Sequence, residues 1–334
     1  MSSPSAKLEK TINRFKARID AGSYYEAQQT IRTIVNRYIR AKDHDAASEL
    51  LYHSSLIFSE NGRFDEGTDL LNYLLEVYLL QEDDLSNYKE TQLPRIIQIL
   101  ASYPDDNSNI PTLGEKLTSF ANKKTGSTLG DSKINLIIGE KLYYSGNPDS
   151  VSNSEKYLLL TDSDKANELL VDLCLQEYLD QENNSYNLHE YLERLVIPYL
   201  KINNIKLAKH TIEEFFTKRV SSLKDDYENF QTVTFEGDTF FLYDVSLSDD
   251  SGLTSSKRII NYLQLLIALI QRNHPSNAQN FKLLFGRYKQ DISQADITTK
   301  INELGQAVFN VSVVANNGNF LQDMMSGLLG GGPK

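Results

Sequence analysis

A turn that recurs at intervals of twenty residues constrains this chain more than any other feature of its sequence. Gly22-Ser-Tyr-Tyr-Glu-Ala27 is echoed by Lys42-Asp-His-Asp-Ala-Ala47 and by Gly62-Arg-Phe-Asp-Glu-Gly67. Each copy has a breaking position, an aromatic ring, an acidic residue and then Ala or Gly, which suits the end of one helix and the start of the next. The spacing predicts helix pairs of about 40 residues, a length typical of helical-repeat proteins. Weaker copies begin at Gly146 and Asn203.

Between these turns the apolar residues follow a helical period. In the first segment they step by four, three and four positions, at Leu8, Ile12, Phe15 and Ile19. This spacing places them on one face of a helix. Strands do not alternate with helices along the chain, which excludes a doubly wound sheet. We therefore predict an all-α fold, an α-solenoid of helix-hairpin (TPR-like) repeats.

One segment departs from the helical pattern. Residues 231–235 and 239–245 are rich in β-branched and aromatic residues and flank Glu236-Gly-Asp238. This arrangement predicts a β-hairpin with a three-residue turn, inserted near residues 231–245. The second strand is apolar on both faces, so either a partner chain covers one face or the flanking helices bury both. The candidate contact residues are Val233, Phe235, Phe240, Phe241, Leu242 and Tyr243.

The charge of the chain is unevenly distributed. The net charge is −11, yet residues 1–42 hold nine Lys/Arg and three Asp/Glu, a balance of +6. The rest therefore carries −17, which argues against general nucleic-acid binding because phosphate contacts need a broad basic face. A basic head on an acidic body suggests a docking surface for an acidic protein patch. A solvated helix face without a partner is the alternative.

The basic head has a defined geometry. Lys10, Arg14 and Arg18 are spaced by four, so they form one ridge opposite the apolar face of the first helix. Arg37 and Arg40 point away from the apolar stripe of the second helix. Two helices thus present cations, which is a plausible steering and docking site. Close in sequence, Asp69 lies near the start of a strong helix, where stabilisation of the helix N-terminus is its simplest role.

No arrangement of residues indicates catalysis. The chain has neither a Walker-type phosphate loop nor a dinucleotide-binding glycine motif. Its five histidines are scattered without metal-ligand spacing, and Cys174 lies in an apolar helix where a core thiol is expected. We therefore expect no enzyme activity, no cofactor and no metal.

The same features indicate a compartment. Residues 1–6 show no secretory signal pattern, and the apolar run at residues 263–270 is too short to span a bilayer. A single cysteine fits a reducing environment. We expect a cytosolic protein.

At both ends the sequence resembles the Golgi-to-ER traffic protein 4 family. The resemblance rests on Tyr24-Tyr-Glu-Ala27, Asn36-Arg-Tyr38, Gly67-Thr-Asp-Leu70, Tyr73-Leu-Leu-Glu-Val-Tyr78 and the closing Asn319-Phe-Leu-Gln-Asp-Met-Met-Ser-Gly327. It is dense over residues 7–80 and in the tail, which looks like that of fungal members. Between about residues 85 and 230 it is limited to the helical pattern.

The resemblance implies a scaffold that delivers tail-anchored membrane proteins to the endoplasmic reticulum. It implies that a stably bound ubiquitin-like-domain adaptor meets the hairpin half and brings in a co-chaperone. It also implies that the targeting ATPase docks transiently on the N-terminal half. The ATPase-facing residues would be Lys10, Arg14, Arg18, Arg37 and Arg40 with Tyr24 or Tyr25, and Asp69 would restrain hydrolysis.

The expected organisation follows from this. Residues 1–150 form the ATPase-binding half, residues 151–315 the adaptor-binding half, and residues 316–334 a flexible tail with a short apolar stripe. The alternative is a helical-repeat structural subunit of another cytosolic complex, which would explain the fold but not the match at the two ends.

Overall fold

The computed structural model describes residues 6–81, 84–180, 187–223, 227–245, 251–272, 274 and 276–314. The helices are α1 Ala6–Asp20, α2 Tyr24–Arg40, α3 His44–Glu60, α4 Phe64–Leu80, α5 Leu85–Asn87, α6 Leu93–Ala101, α7 Ile110–Thr125, α8 Ser132–Tyr144, α9 Pro148–Leu158, α10 Asp164–Asp180, α11 Leu188–Lys201, α12 Ile205–Glu214, α13 Gly252–Arg272, α14 Asn277–Gln294 and α15 Thr298–Phe309. Tyr88–Gln92 and Phe215–Arg219 are π-helical turns, and Val220–Ser222 is a 3₁₀ turn. The strands are β1 Gln231–Phe235 and β2 Asp238–Leu242. The predicted fold class, a helical-repeat fold with one inserted β-hairpin, is confirmed.

The twenty-residue turns have one common geometry. Gly22, Lys42 and Gly62 all have positive φ, between 59° and 76°. In each turn the following residue donates its N–H to a carbonyl five positions back, as Ser23 does to Arg18 at 3.0 Å. This pattern ends one helix and lets the next begin two residues after the turn position. The weaker copies at Gly146 and Asn203 also have positive φ.

The small residue of each repeat lies where two helices approach closely. Ala27 and Ala47 are fully buried. At Gly67 a Cβ atom would lie 2.8 Å from the Ser59 hydroxyl and 3.1 Å from the Tyr103 hydroxyl. Ser55 donates a hydrogen bond of 2.8 Å to the Gly67 carbonyl. The small residue of each turn therefore allows the helices to pack closely.

The chain divides into two compact units, Met1–Thr161 and Asp162–Lys334. The expected division at residue 150 falls inside α9, which packs on α8 in the first unit. Gly139 lies against Leu158 there, with no room for a side chain at that glycine. A boundary at residue 150 would therefore cut a packed helix pair.

The hairpin differs from its expectation in register. Phe235 pairs with Asp238, so the turn holds two residues, Glu236 and Gly237, and not three. Both turn residues have positive φ, 51° and 87°. A two-residue turn of this kind matches the natural twist of the paired strands, and it is therefore favoured over the longer turn. The expected tail, residues 316–334, lies outside the described residues.

Candidate functional site

The first candidate surface is formed by α1 and α2. Their apolar faces are buried, so the ridge of Lys10, Arg14 and Arg18 on α1 is exposed, as are Arg37 and Arg40 on α2. Arg18 also donates a hydrogen bond to Thr30, which ties the ridge to α2. The predicted exposure of these cations is confirmed, and their role as docking residues stays a prediction.

The two tyrosines at the start of α2 have different environments. The Tyr24 ring lies beneath the guanidinium of Arg63, 4.3 Å from its carbon atom to the ring centroid. This cation–π contact fixes Tyr24 against the start of α4. Tyr25 is 73% exposed. Of the two candidates, Tyr25 therefore offers the larger surface to a partner.

Asp69 is held by α2 and does not stabilise a helix terminus. Because α4 begins at Phe64, its first turn contains Asp65 and Glu66, and Asp69 lies in the second turn. The helix-terminus role considered for Asp69 is therefore wrong, since the field of a helix end is confined to its first turn. The Asp69 carboxylate instead accepts hydrogen bonds from two side chains of α2, Gln28 at 2.8 Å and Arg32 at 2.6 Å.

This contact belongs to a polar ladder between α2 and α4. The Arg32 guanidinium lies 5.2 Å from the centroid of the Tyr73 ring, and the Tyr73 hydroxyl donates a hydrogen bond of 2.7 Å to Asn36. Sequence reasoning did not identify Gln28, Arg32 or Tyr73 as members of one site. The available signal was their spacing, because positions 28, 32 and 36 and positions 69 and 73 each lie on one helix face.

The second candidate surface is the hairpin. One face of it, which carries Phe241 and Tyr243, packs inside the second unit. The Phe241 ring stacks on Phe216 with 4.9 Å between centroids, and the Tyr243 hydroxyl donates to the Tyr227 carbonyl at 3.0 Å. Both residues are buried. They therefore anchor the hairpin to the second unit, and their contact with an adaptor stays a prediction.

The opposite face of the hairpin borders a groove of about 850 Å³. Its walls are the hairpin, α13 and α14, and its apolar lining residues are Val233, Phe235, Phe240, Leu242, Leu265, Ala268, Leu269 and Leu284. Val233 is 40% exposed and Phe235 is 53% exposed, whereas Phe240 is buried. An apolar concavity of this kind is typical of a protein-binding site. Four of the six predicted hairpin contacts thus line one groove.

One group of side chains in the described part of the chain has the composition of a metal site: Glu168, His210 and Glu214. However, the Lys218 ammonium lies 2.8 Å from one Glu214 oxygen and 3.4 Å from a Glu168 oxygen. These carboxylates are thus already compensated by a side-chain cation, which would have to leave before an ion could bind.

His189 and Ser256 together have the composition of a base and a nucleophile. His189 Nδ1 lies 3.1 Å from the Ser256 hydroxyl, which is fully buried. Burial lowers the pKa of His189 to about 4, against the opposing effect of the Asp291 carboxylate. Since no substrate can reach Ser256, this pair serves the core of the second unit.

Comparisons with known proteins agree with the fold. The family model of Golgi to ER traffic protein 4 matches residues 41–329. Golgi to ER traffic protein 4 of Aspergillus fumigatus is 27% identical over 98% of this chain and 91% of its own length. The protein of that name from Schizosaccharomyces pombe is 25% identical over 98% of this chain and 97% of its own. A crystal structure of C. therm. Get4 aligns with a TM-score of 0.72 and 21% identity over 98% of this chain and 96% of that one. Every helix in the described ranges is too short or too polar to cross a membrane.

Proposed function

The chain belongs to the Golgi to ER traffic protein 4 family, and from this premise we propose that it is a non-enzymatic scaffold in delivery of tail-anchored proteins to the endoplasmic reticulum. It holds a ubiquitin-like-domain adaptor, with the adaptor's co-chaperone, and presents them to the targeting ATPase in the cytosol. The observation that carries this proposal is the cationic surface of α1 and α2 in a chain that is otherwise acidic.

The cationic surface is suited to an acidic patch on the ATPase. Residues 1–42 contain three acids against nine Lys/Arg, so its charge is not compensated by neighbours in sequence. Exposed charges that face a complementary partner mainly raise the rate of association and orient the encounter. That behaviour suits a partner that must bind transiently and leave. In this proposal Asp69, which pairs with Arg32 at 2.6 Å, is the acidic group that restrains the ATPase cycle.

The groove beside the hairpin is suited to the adaptor. Eight of its thirteen lining residues are apolar, and Phe235 and Val233 are the exposed large apolar side chains among them. Burial of apolar area gives slow dissociation without a need for charge pairing. That behaviour suits a partner that stays bound while the ATPase exchanges.

The test uses charge reversal in the full chain. We expect Arg37→Glu with Arg40→Glu to weaken binding of the ATPase roughly tenfold or more in low salt and to leave adaptor binding unchanged. The matched control is Lys116→Glu with Lys123→Glu, which changes the net charge equally at two exposed positions of α7. Affinities are measured by titration calorimetry with each purified partner.

The reciprocal variant concerns the groove. Val233→Ser with Phe235→Ser should weaken binding of the adaptor and leave binding of the ATPase unchanged. The control is Leu283→Ser, at a position of α14 that is 64% exposed and outside the groove lining, which should change neither affinity. If the wild-type chain binds neither partner and co-purifies with other helical-repeat subunits, the structural-subunit alternative replaces this proposal.

A further inference from the structure

The two outer edges of the hairpin differ in the hydrogen bonds that their backbones make. The outer edge of β2 faces α13, where two amide side chains take the place of a neighbouring strand. Gln264 accepts from the Phe241 N–H at 2.8 Å and donates to the Phe241 carbonyl at 2.7 Å. Asn261 does the same for Tyr243, at 2.9 Å in both directions. The outward backbone groups of Phe241 and Tyr243 are therefore satisfied.

The outer edge of β1 has no such cover. Phe241 turns its backbone groups away from β1, so its cross-strand partner Thr232 turns its own groups away from β2. The alternation of the ladder gives Thr234, opposite Thr239, the same outward orientation. Every residue of β1 is exposed. Within the described residues, nothing bonds to the outward N–H and C=O groups of Thr232 and Thr234.

The sequence of β1 lacks the usual protection of an exposed edge. Natural edge strands avoid unwanted pairing through Lys, Pro, inward charges or bulges. β1 reads Gln-Thr-Val-Thr-Phe, without charge, proline or bulge, and its residues favour extended structure. An edge with this composition is ready to pair with another strand.

We propose that β1 is a strand-addition site, at which an extended segment of the adaptor pairs as the third strand of the sheet. This deepens the proposed function, on which it rests, by stating how the partner is held. The added strand would bond to Thr232 and Thr234, and every second side chain would enter the groove beside Val233 and Phe235. The partner segment is therefore expected to alternate apolar and polar residues.

Charge favours a different protein over a second copy of this chain as the occupant. Residues 162–334 contain sixteen Lys/Arg and twenty-three Asp/Glu, a net charge of −7. Two such units brought together at their hairpins would repel each other, particularly at low ionic strength. The expected segment is accordingly neutral or basic.

Proline substitution tests the backbone without altering the groove. Thr232→Pro and Thr234→Pro, made singly in the full chain, each remove one outward N–H, and proline is tolerated at such positions of an edge strand. We expect each to weaken adaptor binding roughly tenfold or more. Thr232→Val and Thr234→Val, which keep the N–H, should bind as the wild type does.

Amide exchange provides a second measurement on the unmodified chain. Binding of the adaptor should slow hydrogen exchange at Thr232 and Thr234, which removes any dependence on how well the proline variants fold. Tight binding with unchanged exchange at both amides would overturn strand addition and leave the proposed function intact. Absence of adaptor binding to the wild type would overturn both, and a β1-dependent dimer would identify a second copy as the occupant and overturn the proposal.

Discussion

At the scale of single residues, Asp69 is the group whose role changes most between sequence and structure. It lies in the second turn of α4 and bridges to Gln28 and Arg32 of α2. The Asp69 and Arg32 side chains are 42% and 39% exposed, so water screens their attraction. An ion pair of this exposure contributes about 0–1 kcal/mol to stability. The pair therefore contributes little to holding the two helices together.

This weak structural role makes Asp69 testable. We expect Asp69→Ala to lower the free energy of unfolding by less than about 1 kcal/mol, to spare ATPase binding and to change the rate at which the bound ATPase hydrolyses ATP. Glu76→Ala, at an exposed acid of the same helix, is the matched control and should leave that rate unchanged. Urea unfolding and steady-state hydrolysis in the complex give the two quantities. A large loss of stability with unaltered hydrolysis would assign Asp69 to folding alone.

At the scale of elements, the hairpin depends on its two-residue turn. Glu236 and Gly237 both adopt positive φ, a conformation that an L-residue adopts at a cost of about 1–2 kcal/mol. Glycine removes this cost at position 237. At position 236 the Glu236 carboxylate forms an ion pair with Arg272 at 3.2 Å. The turn thus sets the register that places Val233 and Phe235 on the groove.

Two glycine substitutions separate this turn from ordinary backbone effects. Gly237→Ala should lower the free energy of unfolding by about 1 kcal/mol, because φ at this position is positive. Gly286→Ala, in the exposed interior of α14 with open space around it, should raise it by about 0.5–1 kcal/mol. The chain has no tryptophan, so far-UV circular dichroism during urea unfolding is the suitable measurement. Equal effects of the two substitutions would contradict the turn assignment.

At the scale of the whole molecule, stability against acid depends on a buried histidine. His189 is 8% exposed, and its Nε2 makes no hydrogen bond to the described residues. Burial lowers its pKa to about 4, so the folded chain holds the ring neutral. The unfolded chain binds a proton there near pH 6.5. Since the unfolded state takes up the proton first, stability is fully present above about pH 6.5 and is lost as the pH falls toward 4.

The size of this effect follows from the two pKa values. Between pH 7.5 and 5.5, His189 should account for a loss of about 1.3 kcal/mol in the free energy of unfolding. His189→Gln should reduce the pH dependence by this amount whatever its effect at neutral pH. Identical pH dependence in the wild type and His189→Gln would show that the histidine is not held neutral.

Much of the fold could be predicted because the features that specify it are local. Gly22, Lys42 and Gly62 mark turns whose hydrogen bonds join residues five positions apart, so neighbouring residues in the sequence determine their geometry. The exposure of Lys10, Arg14 and Arg18 likewise follows from the helical period alone. The register of the hairpin was missed by one residue, because the sequence allows two turn lengths and the strand twist selects between them.

The sequence by itself determined the helical-repeat class, the position of the turns, the inserted hairpin and the separation of a basic head from an acidic body. The tertiary structure alone decided which of these surfaces remain available. Asp69 finds its partners 37 and 41 residues away, and the β2 edge is covered by side chains 18 and 23 residues further along the chain. The physical reason is range, since turns and helical faces arise from neighbours in sequence, whereas burial and edge coverage arise from packing between distant segments.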